Sequence, residues 1–325
     1  MGVPKIITLQ EAASMISDGD CLAFSGFTIW RRPVAMCYEM LRQGKKDLHL
    51  FEVQGGFHSE VLIGGGAVKL WEGAWLAQEI LGKTGVNLSR KQSEGAVIVD
   101  DLSHGHASGR IAAGAIGVPF FPTALAMGTD ILNPAYDGFA NAGLRDGSNP
   151  KIPKEKYKMV KDPFYDMGEL LLVPAVNPDW GLVYAPMVGT EGTVRTLAQC
   201  YNDQEVIKAS DKVIVFCEEI VPDEYLRREP TQNTANGYEI DYIVVCPWAA
   251  HPTGSQFYYD TDADFLLKFN KSTKTQAGFD EFAEKYIYGV KDHEEYLEKL
   301  GVKRLESLRA SQATGYSNRV KRGTR

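Results

Sequence analysis

Cysteine is sparse in this 325-residue chain, and its spacing carries no pattern: Cys21, Cys37, Cys200, Cys217 and Cys246 form no CxxC pair. That argues against a disulfide framework and a cysteine zinc site, and for reduced, buried thiols. Positive charge is also short, with 35 Lys and Arg against 42 Asp and Glu, a net charge of −7. The cations are scattered apart from the last few residues, so no nucleic-acid footprint is present. No apolar run approaches the ~20 residues of a membrane-spanning helix. The opening MGVPKIITLQEAASMI is too polar for a secretion signal. The expected setting is cytoplasmic, with neither membrane nor nucleic acid as partner. Three fingerprints are missing as well: no GxGxxG follows the first strand, no GK[ST] follows a glycine run, and no GxSxG elbow occurs. Gly64-Gly65-Gly66 is flanked wrongly for a dinucleotide site.

What is present centres on Asp18 to Pro33, DGDCLAFSGFTIWRRP. Cys21 to Phe24 reads as a strand buried on both faces, running into the small pair Ser25 and Gly26. Gly26 permits the backbone a tight strand-to-helix turn needs. Pro33 suits a first helical turn and Gly44 the position past its end, with Val34, Cys37, Met40 and Leu41 as the apolar stripe between. A turn at the carboxyl end of a parallel strand, facing a helix N-terminus, is where open α/β sheets place ligands. Arg31 and Arg32 add positive charge there, which suits a carboxylate or phosphate.

Apolar runs then alternate with helical patterns, as a mostly parallel sheet with helices on both faces requires. Strands are expected at Leu48–Val53, from Val68, at Ala96–Val99, Leu170–Val176, Trp180–Val188, Val213–Ile220 and Ile240–Pro247, and a helix at Ala107–Ile116. The stretch from Gly128 to about Met167 is irregular, and a helical closure starts at Ala277. Residues 1–310 read as a single α/β domain and 311–325 as a basic, disordered tail.

Three turns gather the polar candidates: Ser25, Gly26, Phe27 and Thr28; Gln54, Gly55 and Gly56; Ser103 and His104. Backbone N–H groups freed by glycine in such turns can hold a carboxylate or thioester oxygen. His104-Gly105-His106 places two imidazoles on one side of an extended segment. Asp100 and Asp101 are near, but no third ligand of suitable spacing accompanies them, so no metal is expected. Glu52 ends an apolar strand, either as a nucleophile or as a carboxylate of the rim. Trp30, Phe57, Trp71 and Trp75 would line a pocket for an aromatic or larger acid, or pack in the core.

The central stretch also matches a motif: Asp-Gly, two residues, three apolar residues, Gly-Gly-Phe, three residues, Gly, one residue, Pro. Here it reads Asp18-Gly19, Leu22-Ala23-Phe24, Ser25-Gly26-Phe27 and Arg31-Arg32-Pro33, with Ser25 and Arg31 where glycines are usual. In this the chain resembles the A (alpha) subunits of family I CoA-transferases, those of the glutaconate type most. The resemblance extends through VPFFP at Val118–Pro122, GTVR at Gly192–Arg195 and the block after Cys217. It implies the CoA-transferase fold and transfer of CoA from an acyl-CoA to a dicarboxylate such as glutaconate, or to an aromatic or larger acid. It implies ping-pong chemistry through a glutamyl-CoA thioester on a homologous B subunit, in a heterotetramer or larger heteromer. CoA is then a substrate, and no resident cofactor is expected. On this resemblance Gly26, Phe27 and Thr28 shape the acid pocket, Arg31 or Arg32 anchors the acid, and Gln54, Gly55, Gly56, Ser103 and His104 are its walls. Glu52 and His104 are the only catalytic candidates within the chain. Two alternatives remain: a subunit of a ring-opening CoA-thioester hydrolase, where a Glu is expected near position 104, and a non-catalytic sensor or binding subunit.

Overall fold

Every residue of the strand Cys21–Phe24 is buried, and alternate side chains enter different cores. Leu22 and Phe24 join the largest cluster, while Cys21 and Ala23 join two smaller ones. Such alternation between two apolar layers belongs to a strand inside a sheet covered on both faces. The structure is a computed structural model and describes residues 3–82, 84–166 and 168–320.

In chain order the strands of the first half are β1 (Lys5–Ile6), β2 (Cys21–Phe24), β3 (Leu48–Glu52), β4 (Val68–Gly73), β5 (Ile98–Asp101) and β6 (Phe120–Thr123). The others are β7 (Lys158–Lys161), β8 (Glu169–Pro174), β9 (Trp180–Tyr184), β10 (Met187–Gly189), β11 (Val194–Arg195), β12 (Lys212–Cys217), β13 (Glu219–Val221) and β14 (Tyr242–Val245). Eight form one sheet in the order β1-β14-β12-β9-β2-β3-β4-β5, and every pairing in it is parallel. The order runs outward in opposite directions from the β2/β9 pair, which makes that pair the switch point where an open sheet has its crevice. The first five helices are α1 (Leu9–Met15), α2 (Val34–Arg42), α3 (Phe57–Gly64), α4 (Val86–Ser93) and α5 (His104–Ile116). The C-terminal helices pack Phe265, Phe269, Phe279 and Phe282 into the core shared with α2 and α3.

Several expectations are corrected. The run Leu170–Val176 does not enter the main sheet: β8 is the middle of a small antiparallel sheet, β6-β8-β7. The strand expected at Ala96–Val99 starts later, because the amides of Ala96 and Val97 close α4 by donating to Lys91 O. The runs at Trp180–Val188 and Val213–Ile220 each break into two strands, β9 with β10 and β12 with β13. Residues 311–320 are tied down. Phe257 N–H donates to Gly315 O at 3.0 Å, and Ser317 N–H donates to Asp260 Oδ2 at 3.0 Å. Residues 321–325 lie outside the described residues. Cys200 is exposed, whereas the other four cysteines are buried thiols.

Candidate active site at the sheet switch point

The corner after β2 is a closed loop in which Phe27 N–H donates to Trp30 O at 3.0 Å and Trp30 N–H to Phe27 O at 2.8 Å. Gly26 has φ +89°, and a Cβ there would stand 2.5 Å from the carbonyl oxygens of both Trp30 and Arg31. Only glycine fits. Thr28 (φ 44°) and Arg31 (φ 56°) take left-handed backbone too, at a cost of ~1–3 kcal/mol each, so the surroundings must hold them.

Arg31 is held through its side chain. Its guanidinium donates to Asp203 Oδ1 at 2.6 Å and Oδ2 at 3.1 Å, and to Gln199 O at 2.5 Å. Asp203 also accepts the Gly26 N–H at 3.1 Å and the Tyr201 N–H at 2.9 Å. Burial opposes charge on Asp203, but Arg31 and those amides override it and hold the carboxyl below its ordinary range. Arg32 is equally buried and donates to the carbonyls of Phe24 and Ser25, at 3.5 and 2.9 Å, and to Gln54 O. Burial pushes its pKa down to about 10, against the pull of Glu52, so it stays charged at neutral pH. Neither arginine is the open anchor expected from the sequence. Arg31 is neutralised within the wall, and Arg32 straps the ends of β2 and β3 together.

The second turn approaches the first closely. A Cβ on Gly56 would lie 2.4 Å from Thr28 O, so glycine there is a matter of contact between turns. Gly55 N–H is spent on Trp75 O at 2.6 Å and Gly26 N–H on Asp203, so neither is a free amide for a ligand. The third turn follows β5, which lies two strands from β3 in the sheet order. It still reaches the site, because Gln54 Nε2 and His104 Nε2 are 3.2 Å apart.

His104 and His106 stand on a helix and not on an extended segment. Ser103 caps α5 by accepting the His106 N–H at 3.1 Å. Two positions apart on a helix point to different sides. His104 meets Gln54, while His106 Nε2 contacts Leu125 O at 2.9 Å. Ser103 is therefore a cap, and Ser25 is similarly occupied, its Oγ accepting the Tyr184 N–H at 2.9 Å. Glu52 is bonded into the wall beneath the Gln54 turn, where Ser59 Oγ and Trp71 Nε1 donate to it at 2.6 and 2.8 Å and His58 Nε2 lies 2.5 Å away. Burial works against its charge, and His58, Arg32 and Ser59 hold its pKa at about 2. Phe57 and Trp71 are in the core, and Trp30 packs edge-on against Tyr316 at 5.8 Å.

Between the turns lies a slit of about 20 Å³ lined by Gly26, Arg32, Phe51, Gln54, Tyr201 and Asn202, among others. Gln54 Oε1, Asn202 Oδ1 and, in the corner, Thr28 Oγ1 are buried with no hydrogen-bond partner among the described residues. Asp203, Tyr201 and Asn202 were not legible as site residues. Their only sequence signal is the polar run Tyr201-Asn202-Asp203 opening the helix Asp203–Ala209 that follows β11.

A family model described as coenzyme A transferase matches residues 6–246. The chain belongs to the coenzyme A transferase family. Within it, the chain is 33% identical over 313 residues to the A subunit of glutaconate CoA-transferase from Acidaminococcus fermentans, covering 96% of this chain and 97% of the relative. The crystal structure of glutaconate coenzyme A-transferase from that organism matches with a TM-score of 0.90, over 96% of this chain and 98% of that one. The A subunit of 3-oxoadipate CoA-transferase from Pseudomonas knackmussii is 28% identical over 300 residues, 91% of this chain and 98% of the relative. The crystal structure of a variant of the decarboxylase AibA/AibB matches with a TM-score of 0.70 at 27% identity, over 87% of this chain and 98% of that one. This CoA-transferase chain is thus an enzyme subunit of the A type with an eight-stranded parallel α/β fold. Among the described residues, no helix is long and apolar enough to cross a membrane.

Proposed function

We propose that the chain is the A half of a heteromeric enzyme that passes CoA from an acyl-CoA to a carboxylic acid, with the covalent intermediate carried by a homologous B chain. One observation carries the reading. The turns after β2 and β3 and the segment Tyr201–Asn202 meet around a slit with unpartnered amide oxygens, yet two carboxylates beside it are already engaged, Glu52 with His58, Ser59 and Trp71 and Asp203 with Arg31. The nucleophile then comes from outside the chain.

A glutamate of the B chain attacks the acyl-CoA carbonyl, forming a mixed anhydride and expelling CoA as thiolate. The thiolate attacks the glutamyl carbonyl, releasing the donor acid and leaving a glutamyl-CoA thioester. An incoming carboxylate reverses both steps and departs as the new acyl-CoA. One thioester is exchanged for another throughout. The A chain's share is placement: Gly26, Phe27 and Thr28 shape the acid site, and Gln54, Gly55, Gly56 and His104 wall it. Keeping water away from the glutamyl thioester is their second service.

The test is to assemble the chain with its B partner, add acetyl-CoA and weigh both polypeptides. The expected result is an added mass of CoA less one water on the B chain only, with no turnover by the A chain alone. CoA exchange at full rate by the isolated A chain would overturn the assignment.

A further inference from the structure

We propose that a groove on the C-terminal helices is a second binding site, separate from the crevice, and that it takes a nucleoside polyphosphate such as ATP. The inference does not depend on the CoA-transferase reading and is read out by binding.

The groove is bounded by the helices Ala263–Ser272 and Gln276–Ala283, the turn Glu284–Tyr288 and the helix Val302–Leu308. Its volume is about 520 Å³, within the range of small-molecule pockets, and it shares no residue with the slit at the switch point. Gly278 lets the first two helices meet closely, since a Cβ there would stand 1.9 Å from Ser272 O. The second helix then widens into a π-helical turn at Glu284–Tyr288, a rare form that recurs at functional sites. Phe265 and Phe282 make a buried floor, and the half-buried Tyr286 stands against them, ring centroids 5.0 and 5.2 Å away.

Its rim is cationic, on a molecule whose net charge is −7. Lys268, Lys271 and Lys285 are exposed along it, and none of the three has an ion-pair partner among the described residues. Lys285 Nζ stands 5.0 Å from the centre of the Tyr286 ring, so charge and ring lie side by side. Arg304 is already engaged, its guanidinium donating to Asp262 Oδ2 at 2.5 Å and Oδ1 at 2.7 Å. Among the described lining residues Glu281 is the one opposing carboxylate. These groups select the anion. A planar carboxylate is matched best by a free guanidinium fork, and here the fork is taken, whereas ammonium groups act as point charges and suit phosphate. Three of them around one groove suit a chain of phosphates, and the aromatic floor suits a base laid against it.

The assembled complex is dialysed to equilibrium against labelled ATP, with CoA present at saturation so that its own site is filled. One ATP per A chain is expected, with Kd below about 1 mM, weakening as ionic strength is raised. Lys268→Ala combined with Lys271→Ala changes two exposed positions, so fold and assembly persist. It should weaken ATP at least about tenfold and leave transfer activity unchanged. Glu281→Gln, which removes the opposing charge, should tighten ATP about threefold. Tripolyphosphate, the phosphate chain without a base, should bind at least about tenfold more weakly than ATP. No ATP bound at about 1 mM, or binding that the double lysine variant leaves unchanged, overturns the site. Loss of bound ATP on addition of CoA places the nucleotide in the substrate crevice and overturns it as well. Tripolyphosphate binding as tightly as ATP overturns the assignment of a nucleoside. The CoA adduct on the partner is measured separately, so the transferase reading stands or falls independently of these outcomes.

Discussion

Arg31 places a large side chain on backbone shaped for glycine, and the ion pair with Asp203 is what makes that tenable. Arg31→Gly would relieve the strained φ but leave Asp203 buried and unpaired, so a net loss of ~2–4 kcal/mol is expected in a urea titration. A gain in stability would show that the ion pair contributes nothing. Gly56 makes the complementary case. A methyl group 2.4 Å from Thr28 O must push the two turns apart, and Gly56→Ala should lower kcat/KM of the assembled complex about a hundredfold while assembly persists. Retained activity would mean that the contact between the turns is dispensable. These two residues also mark what could be read beforehand. The glycines announced a tight corner, because positive φ and close approach are local demands. The arginines misled, because the acid that neutralises Arg31 lies 172 residues along the chain, beyond the reach of any local pattern.

At the scale of elements, the end of β12 carries a carboxyl that titrates near neutrality. Trp248 N–H lies 2.9 Å from each oxygen of Glu218, the Tyr259 hydroxyl donates at 3.0 Å, and the Tyr184 hydroxyl donates as well. Burial raises its pKa to about 7 from an ordinary 4.5, the hydrogen bonds only partly opposing the rise. Between those values the folded chain holds a proton that the unfolded chain has lost. This group's contribution to stability therefore falls as pH rises from 4.5 to about 7 and is level above. Glu218→Gln should match the wild type at pH ~4.5 and gain stability as the wild type loses its proton, by ~1–2 kcal/mol at pH ~8 after allowance for partial exposure. A difference in melting temperature that is constant with pH would remove the group from the account. Elements were legible wherever one pattern decided them. β2, α2 and the C-terminal helices follow from buried runs and apolar stripes. The start of α5 did not, since Ser103 is both a loop residue and a cap. Nor did the sheet to which β8 belongs, because an apolar run does not say which neighbour it will pair with.

At the scale of the molecule, residues 311–320 close the C-terminal helices onto the corner. Ser317 Oγ donates to Ser307 O at 2.8 Å, and the Tyr316 ring meets Trp30 of the corner itself. Truncation after Ala310 is expected to lower the melting temperature by about 2–6 °C and to reduce transfer activity, read by thermal scan and by assay of the complex. No change in either would make the segment a passenger. Basic composition suggested a free tail, but Tyr316 and Ser317 within it supply the fastening. The mostly parallel sheet was legible because alternation of buried strands and helices leaves few topologies open, whereas its strand order, and with it the switch point, was not. Nor was the bend at Leu197 and Ala198, both in left-handed backbone with φ of 51° and 52°, since it has no composition of its own.

The borders of the main sheet carry a last consequence. One border is β1, two residues long; at the other, β5 lies beneath the helix Gly138–Asn141, where a Cβ on Gly138 would stand 1.8 Å from Val99 O. Among the described residues neither rim offers a template on which a foreign strand could continue the ladder. The parallel ladder therefore stays finite even where many copies of the molecule crowd together, because growth from one sheet into the next is blocked at both rims.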